Sequence, residues 1–385
     1  MNILTFSFEA PSKLYGGGIG IIQSLSSLCN FAFVDYIGPD YDETEFETIR
    51  VRRKYILNDN NSVAVKVLNL FRGVTTRYYQ EWKRATESLD PKMYDAVFID
   101  FSYNDFIVDW AHKHGLKAVV RVHNIERNMS YTSAKGKVHD KYWLRNNING
   151  WLIARREEKV MKTADRLVFL TKEDLSRACE LYGKDVAERA VIVPVCMDMN
   201  HKNADYSETL PKPYILATGS LYYGPNANGI KWFIEKVWKE FNVRGMLPEY
   251  SLIVAGRNPG NDLKKLAEET ARVKLIDSPK EMSPFFLNAD MYVAPVFEGA
   301  GMKVKVAEAL SYGLTVVGSH HALIGYEEAE PFITEANTAE EFLEKILAVK
   351  KNPQKKSLCQ EKYQALYTLT RSGADFKGIF ESMLK

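Results

Sequence analysis

The chain has 385 residues, enough for two domains with separate cores, and its 51 Lys and Arg nearly balance its 49 Asp and Glu. A net charge of +2 supplies no field that would gather nucleic acid, which excludes that class of partner. Its four cysteines, Cys29, Cys179, Cys196 and Cys359, lack CxxC spacing, which argues against structural zinc and a disulfide framework and favours a reducing cytoplasm.

The first seven residues carry no basic n-region or cleavage site and read as a first buried strand. No charge occurs from 14 to 34, but four glycines, three serines, Gln23 and Asn30 interrupt that interval. It therefore predicts loop, helix and strand rather than a membrane span. The N-terminal half alternates strand-like segments (2–8, 31–37, 96–100, 118–123, 166–170 and 190–195) with helices, the pattern of a parallel α/β sheet. After the first strand, Gly16-Gly17-Gly18-Ile19-Gly20 matches no dinucleotide fingerprint in register. Such glycines ahead of a helix can receive a phosphate or sugar, or simply turn the chain.

Asp40-Tyr41-Asp42 copies the DxD of metal-dependent sugar transferases but lies in a loop without a further ligand group. His112-Lys113-His114 and His320-His321 lack ligand spacing, so no metal is expected in the site. Residues 63–89 form an amphipathic segment with Val67, Phe71, Val74, Tyr78, Trp82, Ala85 and Leu89 on one face and Lys66, Arg72, Arg77, Lys83 and Arg84 around it. One reading is a helix packed on the sheet with a solvated basic face. The other is peripheral contact with an anionic membrane, near a lipid-linked acceptor. Arg121-Val122-His123-Asn124-Ile125-Glu126 ends a strand where open α/β sheets place functional groups. His123 is expected to donate a hydrogen bond to a sugar hydroxyl or phosphate, with Asn124 and Glu126 orienting it or the acceptor; a structural histidine is the plainer alternative.

The pattern loosens between 196 and 212, the best boundary. The expected organisation is an N-terminal acceptor-side domain (1–197), a linker (198–212), a nucleotide-sugar-binding domain (213–365) and a closing helix (366–385). The second domain restarts the alternation with strands at 214–218, 251–255, 273–276, 291–296 and 315–318 and a helix over 225–241. Between its last two strands lies Glu298-Gly299-Ala300-Gly301-Met302-Lys303-Val304-Lys305, followed by a helix closed at Gly313. Lysines in a first helical turn oppose the macrodipole by roughly 0.3–1 kcal/mol unless an anion sits there. Glycines, free N–H groups and two ammonium groups describe a phosphate site, while Glu298 and Glu308 can accept hydrogen bonds from hydroxyls. A nucleotide sugar carries both chemistries. The bland alternative is a surface helix on which Lys305 pairs with Glu308.

Gly219-Ser220-Leu221-Tyr222-Tyr223-Gly224-Pro225-Asn226, Trp232-Phe233, Leu252–Gly256 and the run from Gly299 to Gly313 together resemble the C-terminal domain of family-4 retaining glycosyltransferases of GT-B fold. The N-terminal glycines, the Arg121–Glu126 run and residues 164–171 are similar to that family's first domain. The resemblance implies two Rossmann-like α/β domains facing across a cleft, with the last helix crossing back to the first domain. It implies a nucleotide-sugar donor, UDP-sugar favoured, held by Gly219, Gly299, Ala300, Gly301, Met302, Lys303, Lys305 and Glu308, with Gly17 and Gly18 approaching its phosphates. His123, Glu298 and Lys303 would be catalytic, and no cofactor would be needed. The acceptor would be a glycan or lipid-linked molecule, in surface polysaccharide assembly at the inner face of the membrane. Two departures stand out: nine residues separate Glu298 from Glu308 where the family usually has seven, and Gly219–Asn226 lacks the family's Arg and Lys. A nucleotide-sugar 2-epimerase of the same fold, or a non-catalytic partner of a true transferase, are the rivals.

Overall fold

The computed structural model of the chain describes residues 1–13, 16–58, 62, 76, 78–127, 143–198, 210–299 and 301–385, with side chains 143–146 excepted. It divides into two compact units, Met1–Cys196 with Leu369–Lys385, and Met197–Thr368.

The first unit holds a seven-stranded sheet of order β3-β2-β1-β4-β5-β6-β7. Its strands are β1 Asn2–Phe6, β2 Phe33–Gly38, β3 Arg53–Ile56, β4 Ala96–Asp100, β5 Lys117–Val122, β6 Arg166–Phe169 and β7 Ala190–Ile192. Every neighbouring pair runs parallel. Because side chains alternate across a strand, Leu4, Phe6, Val97, Ile99, Val120 and Val122 build one core and Ile3, Phe98, Val119 and Val168 another. The helices Asp105–Lys113 and Trp143–Thr163 run on the first face. The helix Gly16–Cys29 and the closing helix Leu369–Leu384 cover the second, the latter through Phe376, Ile379 and Phe380.

The second unit repeats the plan in six parallel strands, order β10-β9-β8-β11-β12-β13. These are β8 Tyr214–Ser220, β9 Ser251–Arg257, β10 Val273–Asp277, β11 Met291–Ala294, β12 Val316–Gly318 and β13 Ile333–Glu335. The predicted helix over 225–241 exists as Gly224–Phe233 and Lys239–Val243 joined by a π turn, Ile234–Trp238. Trp238, fully buried there, donates its indole N–H to the Ala271 carbonyl at 3.1 Å.

Both sheets reverse winding beside their first strand, between β1 and β4 and between β8 and β11, and ligands of such sheets bind beyond the carboxyl ends of the strands at that point. β3 and β13 were not expected as strands. They are four- and three-residue edge strands, and β3 reads Arg-Lys-Tyr-Ile, the charged composition that guards a sheet edge from further pairing. The expected linker over 198–212 lies mostly, and residues 63–75 of the basic segment over 63–89 lie wholly, outside the described residues. The described end of that segment is the helix Tyr79–Glu87, whose Trp82 packs edge-on against Phe106 at 4.7 Å.

Candidate functional site

In the second unit β8 and β11 lie side by side, so the loops that follow them share the sheet's carboxyl edge. They approach very closely. A Cβ on Gly229 would lie 1.7 Å from the Pro295 carbonyl oxygen, so only glycine lets the helix Gly224–Phe233 touch the loop after β11. That loop turns through Gly299 and Gly301, both at positive φ (100° and 69°), which glycine alone adopts without strain. Met302 is buried beneath the turn, and Ala300 lies outside the described residues.

The helix after the turn is Val304–Ser311, shorter than expected at both ends. Lys303 is therefore its N-cap rather than part of its first turn. The Lys303 carbonyl accepts from Val306 N–H at 2.8 Å and Tyr326 Oη at 3.0 Å, while its ammonium folds back onto the Gly301 carbonyl at 2.6 Å. Lys305 does occupy the first turn. Its Nζ donates to Asn226 Oδ1, and Asn226 in turn donates to the Ser220 carbonyl at 3.2 Å. Gly219 leaves room for this link, since a Cβ there would sit 3.1 Å from Asn226 Cγ. The surface pair Lys305–Glu308 is not formed. Burial, and then the neighbouring Lys303 charge, push the Lys305 ammonium down to about 7. Burial alone pushes the Glu308 carboxyl up to about 7, and no described residue hydrogen-bonds it. An ammonium without a carboxylate partner and a carboxyl group that no described side chain hydrogen-bonds, each half-buried, are costly to keep charged unless a ligand completes them. Glu298, by contrast, is exposed and among the described residues meets only the Asn228 amide, at 3.4 Å.

In the first unit Gly16, Gly17 and Gly18 form the opening turn of the helix rather than a loop before it. Gly18 lies against Ser12, whose carbonyl oxygen would be 2.6 Å from an added Cβ. His123 follows β5 and is buried. Its Nε2 lies 2.8 Å from Asp100 Oδ1, Phe101 stacks on its ring at 4.4 Å, and Gly20 faces its edge. Burial pushes the imidazole down, against the pull of Asp100, so it is neutral. Below it Arg121, fully buried, donates to the Gly20 carbonyl and Ser24 Oγ (both 2.8 Å) and to Gln23 Oε1 at 2.6 Å. Gln23 passes the network on to Ser372 Oγ of the closing helix at 2.9 Å.

Asn124 and Glu126 do not join His123. Asn124 hydrogen-bonds Glu126, which burial, Glu157 and Glu9 together push up to about 8. Glu157 anchors the loop from below, accepting from Glu126 N–H, Arg127 N–H, Ser102 Oγ and Tyr182 Oη at 2.6–3.0 Å.

Residues 212–352 match the family of Glycosyl transferases group 1. The match falls within the second unit. No curated protein matches the chain by sequence. Solved structures share the whole architecture, two Rossmann-like units in the GT-B fold. The sucrose-phosphate synthase of Thermosynechococcus elongatus is similar at TM-score 0.67 and 14% identity, over 99% of this chain and 98% of that one. A glycosyltransferase from Rickettsia africae is similar at TM-score 0.66 and 13% identity, over 100% and 98%. HepE of Anabaena, solved with UDP and glucose, is similar at TM-score 0.65 and 12% identity, over 99% of each chain.

In the second unit the sequence pattern missed Asn226 and Tyr326, because each reaches the lysine turn from a segment far away in the chain, Asn226 from the first turn of the helix Gly224–Phe233 and Tyr326 from just ahead of Glu327–Ala329. The only signal for Asn226 was its place at the end of the Gly219–Asn226 run. The metal-like motifs are otherwise engaged: Asp42 caps the turn at Thr44, Asp40 pairs with Lys54, His112 with Asp165 and His320 with Glu335. Among the described residues no group of three His, Cys, Asp or Glu could hold a metal, and no helix is long and apolar enough to cross a membrane.

Proposed function

We propose that the chain is a retaining glycosyltransferase that moves a hexose from a nucleoside diphosphate sugar, a UDP-sugar first among them, to a hydroxyl of a glycan or lipid-linked acceptor. One observation carries this reading: Lys305, half-buried, has no carboxylate partner beside a positive-φ glycine turn, one helical turn from Glu308, whose carboxyl no described residue hydrogen-bonds. A diphosphate would give Lys305 and Lys303 their counter-charge, and a ribose would give Glu308 its hydrogen bonds. As the glycosidic bond opens, charge gathers on the leaving diphosphate, and the two lysines with the helix N-terminus stabilise it there. The acceptor hydroxyl attacks from the same face and its proton passes to the departing phosphate, so this scheme requires no metal and no cofactor. His123 holds the sugar, Gly17 and Gly18 leave room for the phosphates, and Asn124 and Glu126 serve the acceptor side. The HepE complexes with UDP-glucose and UDP support the choice of donor.

Thermal unfolding with a panel of nucleoside diphosphates tests the site. A ligand at one hundred times its Kd stabilises the chain by about 2.7 kcal/mol. UDP raising the Tm of the unsubstituted chain but not of Lys305→Ala is the expected result, and no shift with any diphosphate defeats the reading. Radiolabelled nucleotide sugars with a lipid extract then separate transfer from epimerisation. Glu298 keeps a second reading alive, a non-catalytic partner of another transferase, because among the described residues its exposed carboxylate meets only Asn228; binding without turnover would favour it. The setting we propose is surface polysaccharide assembly in the cytoplasm at the inner membrane face. Salt-sensitive sedimentation with anionic liposomes is its test.

A further inference from the structure

We propose that Tyr326 is a positioning residue: its hydroxyl fixes the Lys303–Val304 peptide so that the start of the helix Val304–Ser311 aims its N–H groups at the diphosphate of the donor. This deepens the reading of the second unit as a nucleotide-sugar site and rests on it.

β11 and β12 are neighbours, so the loop after β12 runs beside the lysine turn that follows β11. Tyr326 stands on that loop directly after Gly325, whose φ of +87° turns the chain. It is fully buried. Its N–H reaches the Leu323 carbonyl at 3.0 Å, its carbonyl accepts from Ala329 N–H at 2.8 Å, and its ring lies 5.4 Å from that of Tyr367. Held at backbone and ring, the side chain is a strut of set length. A buried phenol needs a hydrogen-bond partner, and this one ends 3.0 Å from the Lys303 carbonyl.

The consequence falls on the far side of that peptide. The Lys303 carbonyl accepts from both Val306 N–H and the phenol, so its two lone pairs are taken up inside the unit. The peptide is trans and planar, with carbonyl and N–H on opposite sides, so the Val304 N–H is held pointing the other way. Val304 and Lys305 are the first two residues of the helix, and neither N–H donates to a described acceptor. Lys303, as N-cap, makes no side-chain hydrogen bond that would cover them. A hydrogen bond on the carbonyl also polarises the peptide and makes Val304 the stronger donor. An anion gains from this arrangement, whereas an uncharged nucleoside gains nothing.

The test compares UDP, inorganic pyrophosphate and uridine on the full chain and on Tyr326→Phe, which keeps the ring against Tyr367. By calorimetry the variant is expected to lose about three- to tenfold in affinity for UDP and for pyrophosphate, the worth of one hydrogen bond, while uridine, measured by competition with UDP, stays within about twofold. Unchanged UDP affinity overturns the proposal, and so does an equal loss for uridine, which would make the tyrosine merely structural. A spectrum of the 15N-valine chain, with Val304 assigned by its loss in Val304→Ile, gives a second readout. The Val304 amide is expected to move when pyrophosphate is added to the unsubstituted chain and, without ligand, on Tyr326→Phe. A Val304 signal unmoved by pyrophosphate that binds overturns the proposal even where Tyr326→Phe does not fold. If none of the three ligands binds the unsubstituted chain, the nucleotide-sugar reading fails instead, and the ligand-free shift on Tyr326→Phe still decides whether the phenol holds that peptide.

Discussion

Lys305 and Glu126 are both half-buried ionisable groups, and they pull the pH dependence of the chain in different ways. Lys305 has its folded value depressed to about 7, so the unfolded chain binds more protons between there and the ordinary lysine range, and its contribution favours the folded state increasingly as pH rises through that window. A diphosphate restores the charge. Calorimetry of UDP binding at pH 8 in buffers of different ionisation heat is expected to show proton uptake larger in the unsubstituted chain than in Lys305→Met, which keeps the side-chain bulk; Glu308 contributes an opposite change to both. In Lys305→Met the affinity itself should fall about tenfold or more, the worth of one charge-assisted hydrogen bond. Glu126 is raised to about 8, so its contribution is complete below the ordinary carboxyl range and is lost as pH rises through about 8. Melting curves from pH 6 to 9.5 should show an alkaline fall that Glu126→Gln flattens. Neither behaviour was legible in the sequence. The lysines stood out because a helix start is the wrong place for them, but the Lys305 link to Asn226, and the elevation of Glu126 by Glu157 and Glu9, involve groups brought near only by the fold.

At the scale of the element, the parallel strands were legible because they are buried on both faces and carry short apolar runs, as Ala96, Val97, Phe98 and Ile99 and then Ala118, Val119 and Val120 do. The edge strands escaped notice for the opposite reason: Arg53–Ile56 is half exposed and basic, and nothing local distinguishes it from loop. The helix after the glycine turn was placed correctly in outline, and its C-terminal stop at Gly313 has a tertiary cause as well as a local one. Gly313 sits at φ +78°, and a Cβ there would meet the Lys356 carbonyl at 2.6 Å. Gly229 is the more telling test of close packing. Gly229→Ala must displace either the helix or the Pro295 loop and is expected to destabilise the second unit by about 1–3 kcal/mol or more in urea unfolding, with weakened UDP binding as the loop moves. A control at a distance is Thr338→Ala, which removes the reciprocal cap with Glu341 and should cost about 1 kcal/mol without affecting UDP.

For the whole molecule, the length allows two domains, and the strand pattern restarts near 214, where β8 begins. What the pattern did not disclose is how the closing helix serves the first unit. Phe376 is fully buried, meets Phe98 edge-on at 5.4 Å and lies beneath the Arg121 guanidinium, whose centre is 5.8 Å from its ring. Phe376→Ala should destabilise the first unit by about 3–5 kcal/mol, seen as an earlier unfolding transition that UDP does not rescue, while the second unit's transition stays in place. The discontinuity of the first unit, interrupted by Met197–Thr368, has a consequence for the chain as it leaves the ribosome. At translation speeds of about 5–20 residues per second, the apolar face built by Ile3, Phe98 and Val119 waits roughly ten to thirty seconds for the segment that roofs it. The newborn protein must therefore carry that oily patch through the whole manufacture of its neighbour, and a cell short of chaperones would lose this half first.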